Sequence, residues 1–177
     1  MYFNYFPQLI YDMKNNGNEK LVTDLFRRVK IRDAILDEAS LYEHYYVPNG
    51  ETPEVTAFKH FGDSESHWVI LMTNNITDRY YGWPLSDADF ERFVNDKYDN
   101  ADAVHHYEIT KSSGKTTQNG PEDYSHKIEV NSTVSGAEAV TNRQYEEREQ
   151  DKKRRIKLLN RQFLNSLLDE FENLINR

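Results

Sequence analysis

The chain has 177 residues, no cysteine and a formal net charge of −8. Without cysteine there is no disulfide, thiol nucleophile or thiolate metal site, and so acidic a balance argues against non-specific nucleic-acid binding, which needs a basic surface. Apolar residues make up 37% and aromatics 13%, which implies a small aromatic-rich core with extended parts that need partners, not a fully disordered chain.

The chain opens with an aromatic arm, Tyr2, Phe3, Tyr5, Phe6, Leu9, Ile10 and Tyr11. So many apolar side chains pack either on their own core or on a partner, since large exposed apolar patches mark interfaces. The arm lacks a basic stretch followed by an apolar run, so it does not read as a signal peptide. No stretch approaches the ~20 apolar residues that span a bilayer. Residues 13–20 read as a polar loop. The spacing of Ile31, Ala34, Ile35 and Glu38 predicts a helix from about Lys30 to Ala39. Arg27, Arg28, Lys30 and Arg32 form a small basic cluster. It is either a solvated face or a link to an acidic partner.

Residues 45–85 read as a strand, two short helices and a return strand. Tyr45, Tyr46 and Val47 are strand formers. Asn49-Gly50 signals a turn. Thr52-Pro53-Glu54 reads as a helix start: a cap, a proline at the first position and an acid at the positive end of the dipole. Gly62-Asp63 ends that helix. A second helix is expected from about Glu65 to Thr73, stopped by Asn74-Asn75, with a return strand near Tyr81 to Leu85.

This pattern resembles the LysM module, whose family reads Tyr-x-Val-x-x-Gly-Asp-Thr, an alanine in the first helix, Tyr-Gly-Asp after it and Asn after the second helix. Tyr45, Val47, Gly50, Thr52, Ala57, Gly62, Asp63 and Asn74 fall on those positions. Glu51 stands for the usual Asp and Phe61 for the usual Tyr. The departures lie at Pro53, where the family has leucine, and at residues 78–85, where it closes with a strand like Pro-Gly-Gln-x-Leu-x-Ile-Pro. Those two edges shape the family's glycan groove.

Ser86-Asp87-Ala88-Asp89 resembles a capping box, and Phe90, Phe93, Val94 and Tyr98 then give an amphipathic helix ending near Asn100. Val104–Ile109 and Tyr124–Val130 read as a hairpin with a long flexible tip. Residues 138–177 contain no Gly or Pro and read as helical. Ile156, Leu159, Phe163, Leu167, Phe171 and Leu174 form one apolar stripe there, buried on its own domain or on a partner helix. Arg155-Ile156-Lys157-Leu158 also alternates as a strand would, which favours a break near that point.

Motifs for phosphate loops, dinucleotide binding, zinc proteases and serine hydrolases are absent. His105 and His106, adjacent on an expected strand, should point to opposite faces, and His60 and His67 read as helix-end polar contacts. No cofactor or metal site is expected. Trp68 reads as core. Tyr80, Tyr81 and Trp83 can serve the core, a protein contact or a sugar contact.

A wider resemblance covers nearly the whole chain. In order, it consists of the aromatic N-terminus, Thr-Asp-Leu-Phe-Arg at Thr23 to Arg27, the LysM-like unit, Tyr-Tyr-Gly-Trp at Tyr80 to Trp83, a short helix, a hairpin and a charged helical end with Arg155-Ile156-Lys157. It is similar to the baseplate wedge proteins with a LysM-like domain of contractile-tailed, T-even-type phages. The resemblance implies a non-enzymatic structural protein of the virion, made in the host cytoplasm. It would bind other wedge proteins, with hub or sheath-initiating proteins as further partners, and join wedges around the central hub. The alternative is a module that binds N-acetylglucosamine polymers of peptidoglycan. The expected fold is α+β, with four parts: 1–40, arm and helix; 41–85, the LysM-like domain; 86–136, helix plus β-hairpin; 137–177, a helical end. The expected interface residues are Tyr2, Phe3, Phe6, Tyr80, Tyr81, Trp83, Phe163, Leu167 and Phe171.

Overall fold

A computed structural model describes residues 2–177, with the side chains of Asp33 and Ala34 left out. The fold is α+β. In chain order the strands are β1 (Gln8–Tyr11), β2 (Lys20–Thr23), β3 (Tyr42–Tyr46), β4 (Val104–Lys111), β5 (His126–Val130), β6 (Glu138–Thr141) and β7 (Arg155–Leu159). The helices are α1 (Asp33–Leu36), α2 (Pro53–Phe61), α3 (His67–Thr73), α4 (Arg79–Gly82), α5 (Asp87–Lys97), α6 (Asn142–Arg154) and α7 (Leu164–Ile175). Two compact units result: the chain up to Pro84 together with Lys153–Arg177, and Leu85–Lys152. The second unit is therefore an insert in the first. The stretch 137–177 is divided between them.

In the first unit α2 begins where its sequence directs. Thr52 Oγ1 accepts from the Val55 amide at 3.4 Å, and Pro53 occupies the first turn. Gly62 closes the helix in the left-handed region at φ 84°, a conformation a side chain would strain. Asp63 then caps the next turn by accepting from the Glu65 amide. Glu51 is buried just before α2, where it accepts from Tyr45 Oη at 2.9 Å, Thr56 Oγ1 at 2.8 Å and Lys59 Nζ. These bonds, against the cost of burial, leave its carboxyl below the ordinary value. Burial and the bond to Glu51 push the Tyr45 phenol up to about 12.

The expected return strand near Tyr81 to Leu85 does not form. Asp78 Oδ1 instead accepts from the amides of Tyr80, at 2.8 Å, and Tyr81, and the chain turns into α4. The partner of β3 is β7, which pairs antiparallel with Tyr42 opposite Leu159 and Tyr46 opposite Arg155. The ladder continues through the Val47 amide to the Arg154 carbonyl at 2.9 Å. Asn74 fixes β7 to the end of α3: its Nδ2 donates to the Lys157 carbonyl and its Oδ1 accepts from the Lys157 amide, both at 2.8 Å. His60 Nε2 meets the Leu159 carbonyl at 2.8 Å. The alternation at Arg155–Leu158 thus makes a strand, because it buries Ile156 and Leu158 while satisfying the free edge of β3.

The core joins Val47, Ala57, Phe61, Val69 and Ile70 to Ile156, Leu158, Leu159, Phe171 and Ile175. Trp68 lies against Phe171 with ring centroids 4.7 Å apart, and Tyr2 is 5.1 Å from Trp68. The arm is therefore anchored at its start. Beyond it, β1 and β2 form a two-stranded ribbon with Leu9 opposite Val22 and Ile10 opposite Leu21. The expected polar loop is its turn, tied by the Asp12 carboxylate accepting from the amides of Lys14 and Gly17. The helix expected over 30–39 shrinks to α1 and a 3-10 turn at Ala39–Leu41. Lys157 Nζ takes the Leu36 carbonyl at 2.8 Å, and so short a helix retains few internal bonds.

In the second unit Ser86 Oγ accepts from the Asp89 amide to start α5. The sheet order is β5-β4-β6, all antiparallel. Residues 138–141, read as helix from the sequence, are strand β6. Their amides and carbonyls complete the second edge of β4, and Val140 is buried.

Replacing Asn74 with Ala removes both bonds to Lys157 and leaves β7 groups unpaired. It should lower unfolding stability by about 1–3 kcal/mol, read by urea titration followed through the fluorescence of Trp68 and Trp83, with secondary structure retained at low urea.

Candidate protein-interaction surface

The expected interface residues divide into exposed and buried sets. Tyr80 and Tyr81 are 81% and 71% exposed on α4, and Phe3 is 59% exposed. Tyr2 is half-buried against Trp68, and Phe163 and Leu167 are half-buried on the core's margin. Phe6, Trp83 and Phe171 are buried and are not available at the surface. Phe6 sits under Tyr2 at 5.0 Å, and Phe171 closes the aromatic cluster. Trp83 turns inward because its indole Nε1 donates to the Glu51 carbonyl at 2.8 Å. A sequence shows that an aromatic needs cover but not which neighbour supplies it.

The eight motif residues have local roles. Tyr45 binds Glu51, Val47 and Ala57 are fully buried, Gly50 sits at φ 73°, Thr52 and Asp63 cap, Gly62 closes α2, and Asn74 holds β7.

Sequence reasoning placed Ile10 in the apolar arm but missed the ribbon that pairs it with Leu21. Ile10 and Leu21 form a cross-strand pair on one face of the ribbon, 66% and 65% exposed, and Phe26 after it is fully exposed. An isolated two-stranded ribbon is at best marginally stable in water. The signal was present: Gln-Leu-Ile-Tyr and Lys-Leu-Val-Thr flank a Gly- and Asn-rich turn. Val55 and Phe58 are likewise exposed on α2.

Two grooves open on the first unit. One, of about 780 Å³, runs between Tyr2, Phe3, Val29, Trp68, Leu71 and Ile76. The other, of about 340 Å³, lies between residues 29–35 and α7, with Tyr42, Met72, Phe163 and Leu167 on its walls. The Tyr42 hydroxyl is buried and has no hydrogen-bond partner among the described residues, an arrangement that normally costs about 1–3 kcal/mol.

Charged groups in the second unit build structure. Glu108 is buried on β4 and accepts a two-pronged bond from Arg148, at 2.8 and 3.0 Å, and one from Lys127. The Arg148 bond foremost, with Lys127, holds its carboxyl down to about 2. Glu146 accepts from Lys97 at 2.6 Å and Tyr98 at 2.7 Å. His105 and His106 do not point to opposite faces, because a bulge between Val104 and His106 breaks the alternation. Their Nδ1 atoms lie 2.9 Å apart, and His105 stacks on Tyr145 at 4.1 Å. Among the described residues no three His, Asp or Glu side chains are grouped to hold a metal ion.

The sequence profile described as base plate wedge protein 53 matches residues 1–113. The chain belongs to this family. It is also 31% identical over 103 residues to the baseplate wedge protein gp53 of Enterobacteria phage T4, across 56% of this chain and 53% of that protein. The chain thus spans about half the length of that relative. Membership makes it a structural protein of the phage tail baseplate, part of the virion. The match runs from the arm through the ribbon, β3, α2, α3, α4 and α5 to the end of β4.

Two outcomes test the placement of these wedge-protein residues. Phe171→Asp should cost about 3–5 kcal/mol in urea unfolding because it buries a carboxyl in the aromatic cluster, whereas Tyr80→Asp should change stability by no more than about 0.5 kcal/mol. For Glu108, a folded-state value below the ordinary carboxyl range means stabilisation that is full above that range and lost as pH falls towards 2. Amide-exchange protection of β4 should fall over that window, and Glu108→Gln should lower it at pH 7 and flatten its pH dependence.

Proposed function

We propose that this wedge protein binds neighbouring wedge subunits and joins wedges around the central hub during tail assembly. The observation that carries the reading is the family match over residues 1–113, the stretch that also holds the ribbon, the exposed Phe26 and the exposed Tyr80 and Tyr81. Its action is adhesion without catalysis: the first unit is a rigid block whose exposed apolar groups are covered by neighbours. Assembly takes place in the host cytoplasm, with hub or sheath-initiating proteins as further partners. Exposed Phe3, Tyr80 and Tyr81, with half-buried Tyr2, Phe163 and Leu167, are the contact residues. The reading also takes the block as LysM-like. In support, β3, α2, α3 and β7 follow the order strand–helix–helix–strand with antiparallel strands, and the closing strand comes from beyond the insert. The parts proposed are an N-terminal arm over 1–40, the LysM-like domain from 41, a helix-and-hairpin region over 86–136 and a C-terminal segment from 137.

Sedimentation velocity tests this directly. The chain mixed with wedge subunits of its own virus should give a larger species of fixed stoichiometry. A compact monomer that ignores those proteins would overturn the reading.

A further inference from the structure

One bond fixes the backbone parity of the β1–β2 ribbon. The Asp24 amide donates to the Pro7 carbonyl at 2.9 Å, and Pro7 lies opposite Asp24 in the register that sets Gln8 against Thr23. Bonded and non-bonded pairs alternate along an antiparallel ladder. Leu9 with Val22 and Tyr11 with Lys20 are then the pairs that bond across the ribbon. Gln8, Ile10, Leu21 and Thr23 turn their amides and carbonyls outward, and all four residues are exposed. Among the described residues no third strand pairs with either side. A two-stranded ribbon gains independent stability only when a further strand or a packed helix joins it.

The two edges differ in what continues them. β1 is preceded by Pro7 and the buried Phe6. β2 is followed by Leu25 and Phe26, 61% and 100% exposed. Their turn is tied down: the Asp24 carboxylate accepts from the Phe26 amide at 3.1 Å and from Arg27 Nε at 3.0 Å, and Arg27 Nη1 donates to the Ile175 carbonyl of α7 at 2.9 Å. A turn held to the core presents its aromatic side chain at little entropic cost, the property of an interface anchor. The β2 side thus combines outward donors and acceptors with the apolar groups Leu21, Leu25 and Phe26. A row of alternating outward amides and carbonyls is matched by an extended backbone, with side chains supplying the specificity.

We propose that the outer edge of β2 receives an extended strand from a neighbouring wedge subunit, which makes the ribbon a three-stranded sheet and covers Phe26. The inference rests on the reading that the chain binds such subunits, and it deepens that reading by naming the edge and the mode of contact. A second copy fits less well. Edge pairing of two ribbons would engage the four residues of β2 on each side, against the roughly 20–30 residues a side of a stable interface. A wedge subunit that covers other exposed groups of the block needs the edge only as one part of its contact.

The test titrates the full chain into wedge subunits of its own virus assembled without it, read by sedimentation velocity. Leu21→Pro deletes an outward amide of β2 and leaves the ladder bonds of the Leu9–Val22 and Tyr11–Lys20 pairs in place. It should weaken binding by about tenfold. Leu21→Val keeps the amide and an apolar side chain and should bind as the wild-type chain does. Phe26→Ser should weaken binding by about thirtyfold. Ile10→Pro, the same change on the opposite edge, should leave binding as it is. All three positions are exposed, so the unfolding midpoint should hold for each variant.

If the wild-type chain joins the wedge and every variant joins as tightly, the edge is wrong while the function stands. If Leu21→Val weakens binding as much as Leu21→Pro, a side-chain contact replaces the added strand. If Ile10→Pro does so, the ribbon as a whole is recognised and not the β2 edge. Either result overturns the proposal. If the wild-type chain alone self-associates and Leu21→Pro makes it monomeric, the occupant is a second copy, which overturns the stated partner. If the wild-type chain does not join at all, the functional reading fails and the edge with it.

Discussion

The first unit depends on one pairing, β3 with β7. The two strands lie on either side of a complete second unit in the chain, so their pairing closes a long loop, at a cost that grows only slowly with its length. The ladder's hydrogen bonds contribute about 1 kcal/mol net each. Burial does the rest: Ile156, Leu158 and Leu159 enter the core on β7, and Phe171 and Ile175 follow on α7. Asn74 adds register, because its amide bonds both backbone groups of Lys157 and so admits no slip along the strand. The C-terminal residues are therefore integral to the block.

That dependence determines which aromatics are left for neighbours. Phe171 and Trp68 form the centre of the cluster that β7 and α7 complete, and Tyr2 and Phe6 lie on it. Trp83 is committed by its bond to the Glu51 carbonyl. Exposed apolar groups in this unit include the ribbon face of Ile10 and Leu21, Phe26, and the α4 tyrosines, none of which lies on the paired strands. A baseplate protein is buried by its neighbours, and apolar surface that is unusual on a free monomer is ordinary there.

The insert is organised differently. Its sheet is held partly by charge, with Glu108 between Arg148 and Lys127, and Glu146 ties α6 to Lys97 and Tyr98 at the end of α5. Buried ion pairs of this kind require their partners more than they add stability. They fix α6 over the sheet at particular positions, which suits a unit poor in large buried apolar side chains: Val94 and Val140 are its buried hydrophobics.

Local chemistry was legible from the residues. The start and end of α2, the cap of α5, the hairpin of β4 and β5, and the motif positions from Tyr45 to Asn74 all follow from caps, turn glycines and apolar spacing, which act within a few residues. The resemblance carried the family, and the match over residues 1–113 established it. Non-local choices were not legible. The strand beside β3, the strand at 138–141, the bulge that turns His105 and His106 together, and the inward turn of Trp83 each depend on a partner distant in the chain. By itself the sequence determined where the capped helices begin, at Thr52 for α2 and Ser86 for α5, and where Gly62 ends α2, because capping is local. Only the tertiary structure decided which elements pair and which side chains remain at the surface, because burial depends on the whole packed unit.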